Sequence, residues 1–300
     1  IQEMLRRIGQ KRPKYFIILD LTSGYHQMPI SENSRRRWTA FMTYWGIFEW
    51  LRMPMGLAGA ASYFQKIMTT IVLAGLIMII CEIYLDDLII PAKSEDELIE
   101  NFVKILERFK KYNITINPDK CVMGISEATY VGHTVSEHGL HFKREKLDSV
   151  LHFPKPVFSK QLKSFVSLAS YFRDHVRNHA ARVHPLFEVL TNYERNKRVV
   201  WTEVSEAAFE DIKKAIHECP RLFFLDNVSP IFMETDASDY GVGAYLYQIV
   251  NGVEIPIAFI SCSLVARMRA WATPVKEGYA IFYALNKWEY LLRDKHFTIK

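Results

Sequence analysis

The feature that most constrains this chain is a pair of adjacent carboxylates set between two apolar runs. Asp86 and Asp87 follow residues 77–83 and Tyr84-Leu85, and they precede residues 88–90. Apolar, largely β-branched runs of this kind predict two strands, and the two acids suit the tight turn between them. Two like charges in one turn are costly unless a cation neutralises them. The pair is therefore either an acidic turn or part of a cation site.

A third carboxylate ends an earlier apolar run. Residues 15–19 are aromatic or aliphatic and predict a buried strand, which Asp20 closes before the turn predicted at residues 22–25. Asp20 either caps that turn or meets Asp86 and Asp87 across neighbouring strands of one sheet. In the second case the three carboxylates would supply oxygen ligands for two divalent cations.

Length and composition set the broad class. Three hundred residues, 49% of them hydrophobic and 24% charged, predict a globular protein of two or three domains. The formal charge of +5 is compatible with a polyanionic partner but does not establish one. Four scattered cysteines predict neither a disulfide framework nor a cysteine-based zinc site, so we expect a reducing, intracellular setting. The most apolar run, residues 71–80, is too short for a membrane span.

Three sequence blocks, in a fixed order, resemble those of reverse transcriptases. They are Leu19-Asp20-Leu21-Thr22-Ser23-Gly24-Tyr25-His26-Gln27, then Met53-Pro54-Met55-Gly56-Leu57 with Phe64-Gln65, then Tyr84-Leu85-Asp86-Asp87. The chain is most similar to the polymerase region of gypsy-type long-terminal-repeat retrotransposons. Each block alone is weak evidence, whereas three blocks in order and at sensible spacing are specific.

The resemblance implies a two-metal polymerase site. Asp20, Asp86 and Asp87 would be catalytic and would bind metal, with the carbonyl of Leu21 as a backbone ligand. The expected cofactor is Mg²⁺, two ions per active site, with Mn²⁺ as a possible substitute. Such ions activate the primer hydroxyl and hold the phosphates of the nucleotide.

The resemblance also implies three nucleotide-binding residues. Tyr25 would pack under the sugar and exclude a 2′-hydroxyl, which would make the product DNA. Gln65 would lie near the templating base pair. Lys120 would face the incoming nucleotide, although an ordinary surface lysine is the alternative interpretation.

A second pattern with acids begins at residue 231. Residues 231–236 predict a strand that ends in Asp236, residues 241–260 predict two more strands, and residues 274–292 predict a long helix that carries Glu277. The Thr-Asp-Ala-Ser block and the helix resemble retroelement ribonuclease H, in which these two acids are catalytic and bind metal. A surface glutamate favoured by the helix dipole is the alternative for Glu277.

The expected fold class is α+β with three domains. Residues 1–136 would form a reverse-transcriptase palm, an antiparallel sheet with helices and partial fingers. Residues 137–228 would form a mostly helical thumb and connection, and residues 229–300 a ribonuclease H-like α/β domain truncated at its C-terminal end. The family's fingers lie largely before Ile1 and its next ribonuclease H acid follows Lys300, so we expect a fragment whose ribonuclease H domain is inactive or nearly so.

The resulting hypothesis is an RNA-directed DNA polymerase with linked ribonuclease H, from a retrotransposon Pol polyprotein. Expected partners are an RNA/DNA template-primer, an RNA–DNA hybrid, deoxynucleoside triphosphates and the rest of the polyprotein, but no membrane. The oligomeric state is open, and the expected location is a cytoplasmic retroelement particle. One alternative is a truncated, inactive relic that at most binds nucleic acid. Another is an RNA-dependent RNA polymerase, against which Tyr25 and the ribonuclease H block argue.

Overall fold

The computed structural model describes residues 1–191, 194 and 196–300, and the chain divides into two compact units. The first unit is Ile1–His138 and the second is Gly139–Lys300. The predicted helical segment and the predicted ribonuclease H-like segment share the second unit. Across the described parts of the chain, no helix is both long and apolar enough to cross a lipid bilayer.

The first unit is built on a four-stranded antiparallel sheet flanked by helices. Its helices are α1 Gln2–Gln10, α2 Glu32–Thr39, α3 Ala60–Ile67 (continued by π-helical Met68–Val72) and α4 Glu95–Tyr112, with 3-10 turns at Gly24–Gln27 and Pro118–Lys120. Its strands are β1 Tyr15–Asp20, β2 Phe41–Thr43, β3 Gly46–Phe48, β4 Glu82–Tyr84, β5 Asp87–Ala92, β6 Val122–Ile125, β7 Glu127–Tyr130 and β8 His133–Ser136. The main sheet has the order β4-β5-β1-β6, while β2–β3 and β7–β8 form separate hairpins.

Strands β1 and β5 lie at the centre of the main sheet because their residues are almost all apolar. Phe16 and Leu19 of β1 and the run 88–90 of β5 are fully or nearly fully buried. The two strands pair in unbroken antiparallel register from Tyr15 opposite Ala92 to Asp20 opposite Asp87. This register confirms the predicted strand before Asp20.

The sequence Ser94-Glu95-Asp96-Glu97 predicts the capped start of a helix, and the spacing of the apolar residues after it predicts a buried stripe. Helix α4 is this helix, and it covers the sheet through that stripe. Its N-cap is Ser94, whose side chain accepts a hydrogen bond from the backbone N–H of Glu97. Leu98, Ile105 and Phe109 are buried in the core of this unit. The predicted capped helix is therefore confirmed.

Two predicted strands are wrong in part. Within the run 77–83 only Glu82 and Ile83 belong to a regular strand, β4. The chain turns at Met78, whose φ is +67°, and at Gly75 just before the run, whose φ is +78°. The sequence Trp38-Thr39-Ala40-Phe41 also predicts a strand, but Trp38 lies in α2, and the following hairpin starts only at Phe41. These residues favour strands, but the local path of the chain determines their conformation.

The second unit combines a helical bundle with a four-stranded sheet. Its helices are α5 Arg144–Leu151, α6 Ser159–Tyr171, α7 His179–Val189, α8 Glu203–His217, α9 Ala266–Arg269 and α10 Thr273–Leu292, with a 3-10 turn at Arg173–His175. Its strands are β9 Gly139–His141, β10 Ile231–Ala237, β11 Gly241–Val250, β12 Val253–Ser263 and β13 Phe297–Ile299. The sheet order is β12-β11-β10-β13, and only β13 runs parallel to its neighbour β10.

Two cores hold the second unit together. Phe165, Phe172 and Phe209 are fully buried where the helices α6 and α8 meet. Helix α10 packs on β10 and β11 through residues such as Ala284 and Trp288. The predicted strands from residue 231 and the long helix that follows them are thus confirmed.

Candidate active site

The strand register brings the three predicted polymerase acids to one end of the first sheet. Asp20 lies opposite Asp87 at the end of the β1–β5 pair. Asp86 lies in the turn between β4 and β5, where Tyr84 pairs with Asp87. Leu85 in this turn has a φ of +54°, which is a left-handed conformation. Carboxylates from two separate parts of the chain therefore converge at the same sheet edge.

Burial and neighbouring negative charge disfavour the ionisation of Asp86 and Asp87. Burial, followed by the charges of Asp87 and Asp20, raises the pKa of Asp86, and burial with the charge of Asp20 raises the pKa of Asp87. The Oδ1 atom of Asp86 is buried and has no hydrogen-bond partner within the described residues. Uncompensated carboxylate oxygens of this kind fit a hard divalent cation. Within residues 1–191, 194 and 196–300, no three histidine, cysteine or acidic side chains form a complete metal-binding group.

Gly24 and Tyr25 line the wall beside Asp86. A Cβ atom on Gly24 would overlap Oδ1 of Asp86 and would press on the ring of Phe64. The ring of Tyr25 meets that of Phe64 edge to face, with 5.3 Å between the centroids. Burial and then the charge of Asp86 raise the pKa of Tyr25, so its hydroxyl stays protonated beside the acids. The structure therefore places Tyr25 next to the predicted metal ligands.

Gln65 braces the turn that carries Asp86. Its Nε2 donates to the carbonyl of Ile83 at 3.0 Å, and its Oε1 accepts from the backbone N–H of Leu85 at 2.7 Å. The family resemblance predicts that Gln65 lies near the templating base pair. In the structure, both ends of its amide hold the backbone of the hairpin, a contact that the sequence did not reveal.

Lys120 lies beside the other strand of the site. Its Nζ is 3.9 Å from Oδ1 of Asp20, and its side chain is 66% exposed. This separation is that of a loose ion pair, beyond hydrogen-bond length. Lys120 therefore places an exposed positive charge beside the acid cluster.

The segment around Leu21 is fixed by a glutamine from the next turn. Leu21 is buried and forms an antiparallel bridge with Ile116. Gln27 Nε2 donates to the carbonyls of Thr22 and Thr115, and its Oε1 accepts from the N–H of Thr115 at 2.8 Å. These bonds set the backbone that follows Asp20.

Two further contacts hold the β4–β5 hairpin, and the sequence predicts neither of them. Arg7 of α1 donates from Nε and Nη2 to the two carboxylate oxygens of Glu82, at 2.9 and 3.2 Å. Glu82 is only 2% exposed. The hydroxyl of Tyr130 donates to the carbonyl of Asp87 at 3.3 Å. The sequence gives one sign of the Arg7–Glu82 pair, which is the position of an acid, Glu82, within an apolar strand.

The two predicted ribonuclease H acids are not brought into contact. Asp236 lies near the end of β10, opposite Gly243 of β11. The next residue, Ala237, packs towards the cluster that contains Ala280 of α10. Because neighbouring residues of a strand point to opposite faces, Asp236 faces away from α10. Glu277 lies half-buried near the start of α10, and the described residues show no hydrogen bond or ion pair between the two acids.

Comparison with known proteins matches each of the two units to a domain of reverse transcriptases. A model described as reverse transcriptase (RNA-dependent DNA polymerase) matches residues 3–135, and one described as an RNase H-like domain found in reverse transcriptase matches residues 201–299. The retrovirus-related Pol polyprotein from transposon 412 of Drosophila melanogaster is 30% identical over 300 residues, which are 100% of this chain and 24% of that protein. The transposon Tf2-3 polyprotein of Schizosaccharomyces pombe is 31% identical over 296 residues, or 98% of this chain and 22% of that protein. The chain thus spans about a quarter of the length of these relatives.

Solved structures of foamy viral protease-reverse transcriptase share the fold. One, in complex with double-stranded DNA, matches with a TM-score of 0.81 and 22% identity, over 96% of this chain and 50% of that one. Another, in complex with an RNA/DNA hybrid, matches with a TM-score of 0.79 and 22% identity, over 97% of this chain and 39% of that one. The expected α+β class, with a reverse-transcriptase palm and an RNase H-like region, is confirmed.

Proposed function

Because the chain belongs to the reverse transcriptase family and carries an RNase H-like segment, we propose that it is part of an RNA-directed DNA polymerase with linked ribonuclease H and supplies the acids of the polymerase site. The protein would act as part of a retrotransposon Pol polyprotein. One observation carries the polymerase assignment. Asp20, Asp86 and Asp87 converge at one sheet edge, where a buried carboxylate oxygen of Asp86 has no partner among the described residues.

The acids of the first unit would hold the cofactor of nucleotidyl transfer. Proteins of this family generally use divalent metal ions. Asp20, Asp86 and Asp87, with the carbonyl of Leu21, would hold two Mg²⁺ ions, for which Mn²⁺ could substitute. When bound, such ions polarise the phosphate and lower the pKa of the attacking primer hydroxyl. The protein's part is to keep the carboxylates together and ionised against their mutual repulsion.

The residues around the acids would select and orient the nucleotide. Tyr25 is rigid because it packs against Phe64, so it would close the space that a 2′-hydroxyl needs and would favour deoxynucleoside triphosphates. Lys120, loosely paired with Asp20, would be free to turn to the phosphates of the nucleotide. Gln65 would act through the hairpin that it braces.

The proposed polymer substrates are a template-primer and an RNA–DNA hybrid. The similar foamy viral proteins were solved with double-stranded DNA and with an RNA/DNA hybrid. A net charge of +5 on this chain is compatible with such partners. The sequence resemblance also assigns Asp236 and Glu277 of the second unit to a ribonuclease H metal site, but Asp236 lies on the face of the sheet away from α10, so these two residues alone do not form that site. The proposed place of action is a retroelement particle in the cytoplasm.

Primer extension by this chain within its polyprotein, with the fingers completed upstream, tests the polymerase assignment. We expect Mg²⁺-dependent incorporation of deoxynucleotides on an RNA template, and its loss in Asp86→Asn and in Asp20→Asn. Asp96→Asn is a matched control, because Asp96 is an exposed acid in the first turn of α4, away from the sheet edge. Extension that persists in Asp86→Asn would refute the two-metal site.

Nucleotide choice separates the proposal from its alternatives. Tyr25→Ala should admit ribonucleotides, whereas a parent protein that already prefers ribonucleotides would be an RNA polymerase. Tight binding of template-primer with no extension in either Mg²⁺ or Mn²⁺ would instead support an inactive relic that only binds nucleic acid.

A further inference from the structure

The turn that carries Tyr25 is held from a second side by an aromatic stack. His26, the next residue of the 3-10 turn Gly24–Gln27, stacks on Trp50, with 5.4 Å between the ring centroids and 25° between the ring planes. A 3-10 helix has three residues per turn, so the side chains of Tyr25 and His26 leave it about 120° apart. The stack therefore holds a different side of the turn from the one that packs on Phe64.

Trp50 is itself fixed on the first unit. It lies two residues after β3, and its backbone N–H donates to Oγ1 of the buried Thr39 at 3.0 Å. The centroid of the Phe41 ring is 6.1 Å from that of Trp50. Trp50 remains 41% exposed, so its replacement leaves the core of the unit intact.

The chain segment after the turn is also paired with the segment after Trp50. Arg52 donates from Nη1 to the carbonyl of Gln27 at 3.0 Å, and the backbone N–H of Met53 donates to the carbonyl of Met28 at 2.9 Å. These bonds fix where the turn ends. The aromatic stack adds a side-chain contact within the turn itself, directly beside Tyr25.

We propose that His26 and Trp50 are positioning residues for Tyr25 and that their stack sharpens the rejection of ribonucleotides. The inference rests on the proposed polymerase function, in which Tyr25 closes the space that a 2′-hydroxyl needs. A ring excludes one additional oxygen only if it cannot move aside. Because the stack holds the turn that carries this ring, its loss should weaken nucleotide selection and leave the acids at the sheet edge in place.

Nucleotide selection is a readout that a purely structural role of the stack would not change. The protein is this chain within its polyprotein, with the fingers completed upstream. Single-nucleotide primer extension gives the ratio of kcat/KM for a deoxynucleotide to kcat/KM for the matching ribonucleotide. Trp50→Ala should lower this ratio about 2- to 12-fold, which is the range expected from the interaction of one aromatic pair. The change should come mainly from a higher kcat/KM for the ribonucleotide.

Two other tryptophan variants serve as controls. Trp50→Phe keeps a ring for the stack and should keep the ratio within about twofold of the parent. Trp45 lies in the turn of the same hairpin, between β2 and β3, and is 84% exposed. Trp45→Ala should leave the ratio unchanged, and a decrease equal to that in Trp50→Ala would show a general effect of the hairpin and would overturn the inference.

A double-variant cycle tests whether the two rings act through Tyr25. His26→Ala should lower the ratio as much as Trp50→Ala does, and both changes together should lower it no further. In a Tyr25→Ala background neither change should have an effect, because the barrier that the stack positions is gone. A full effect of Trp50→Ala in that background would overturn the inference. Thermal unfolding of each variant confirms that it is folded.

A probe at residue 25 tests the positioning without catalysis. When para-fluorophenylalanine replaces Tyr25, the fluorine stands in the place of the hydroxyl, and its ¹⁹F resonance reports the surroundings of the ring. Trp50→Ala should shift or broaden this resonance, whereas Trp50→Phe and Trp45→Ala should leave it as in the parent. An unchanged resonance in Trp50→Ala would contradict the positioning role.

The outcomes for the inference and for the proposed function are distinct. If Tyr25→Ala lowers the ratio but Trp50→Ala and His26→Ala do not, the proposed role of Tyr25 stands and the stack does not position it. If the parent shows no preference for deoxynucleotides, or Tyr25→Ala leaves the preference unchanged, the proposed role of Tyr25 fails, and the positioning role fails with it.

Discussion

The two hydrogen bonds by which Gln65 holds the turn between β4 and β5 give a quantitative prediction. Gln65→Ala removes the bonds to the Ile83 carbonyl and to the Leu85 N–H. Each bond contributes about 1 kcal/mol net, so the turn should lose about 2 kcal/mol. The left-handed φ of Leu85 carries an intrinsic cost of about 1–2 kcal/mol, which the two bonds from Gln65 offset. We therefore expect the loss of stability to be confined to this turn.

Hydrogen–deuterium exchange of a peptide that covers residues 82–88 measures this loss at the turn itself. A change of about 2 kcal/mol corresponds to roughly 30-fold faster exchange of the protected Leu85 amide. Gln65→Glu keeps an acceptor for that amide, but it loses the donor to Ile83 and adds a negative charge beside the acids, so it should also accelerate exchange. Lys66→Ala, which alters the adjacent exposed side chain of α3, should show none.

The same variants connect the brace to function. Primer extension should fall in Gln65→Ala because the turn no longer holds Asp86 in one place, while the affinity for template-primer should stay constant. Leu85→Gly, which removes the left-handed strain, should restore part of the protection in the Gln65→Ala background. Exchange in Gln65→Ala within about threefold of the parent would refute the bracing role.

Three other substitutions test the surroundings of the site. In EDTA, Asp86→Asn should raise the thermal midpoint at neutral pH: folding raises the pKa of this carboxyl, so its ionised form destabilises the native state. The gain should shrink as the pH falls towards 3.8, and a pH-independent gain would contradict this cause. Gly24→Ala should displace the Asp86 carboxylate and slow primer extension about 10- to 100-fold with an unchanged thermal midpoint; normal extension would show that Asp86 adapts. Arg7→Met leaves Glu82 buried and unpaired, so it should lower the free energy of unfolding in urea by about 3 kcal/mol. Adding Glu82→Leu should recover most of this loss, and equal stability of the single and double variants would contradict the pairing.

The elements that the sequence predicts correctly are those whose signals are local. The strand before Asp20 is a continuous apolar run, and Ser94 with Glu97 marks the start of α4 within four residues. The errors arise where local preference and chain path disagree. Ile77 and the residues after it are apolar and partly β-branched, yet the chain turns at Met78, whose backbone N–H donates to the carbonyl of Cys81 at 2.9 Å.

The candidate site divides in the same way. Its acids could be found because a buried strand that ends in a carboxylate is unusual in itself. Gln65 could not be placed, since its partners are backbone atoms of another element and leave no mark on side-chain patterns. The same holds for the stack of His26 on Trp50, whose rings come from two separate segments of the chain. Residues that act through the backbone, or across a fold, become visible only in three dimensions.

The pairing of β1 with β5 also has a consequence for how the polymerase site is made during folding. Asp20 is synthesised before its partner strand β5, which lies beyond two helices and a hairpin. Closing so long a loop loses conformational entropy before the strand contacts contribute any favourable free energy, so this pairing is slow. A nascent chain that ends before Ala92 therefore holds the first acid without a site. Catalytic competence in this fold should appear late and all at once, when β5 joins the sheet.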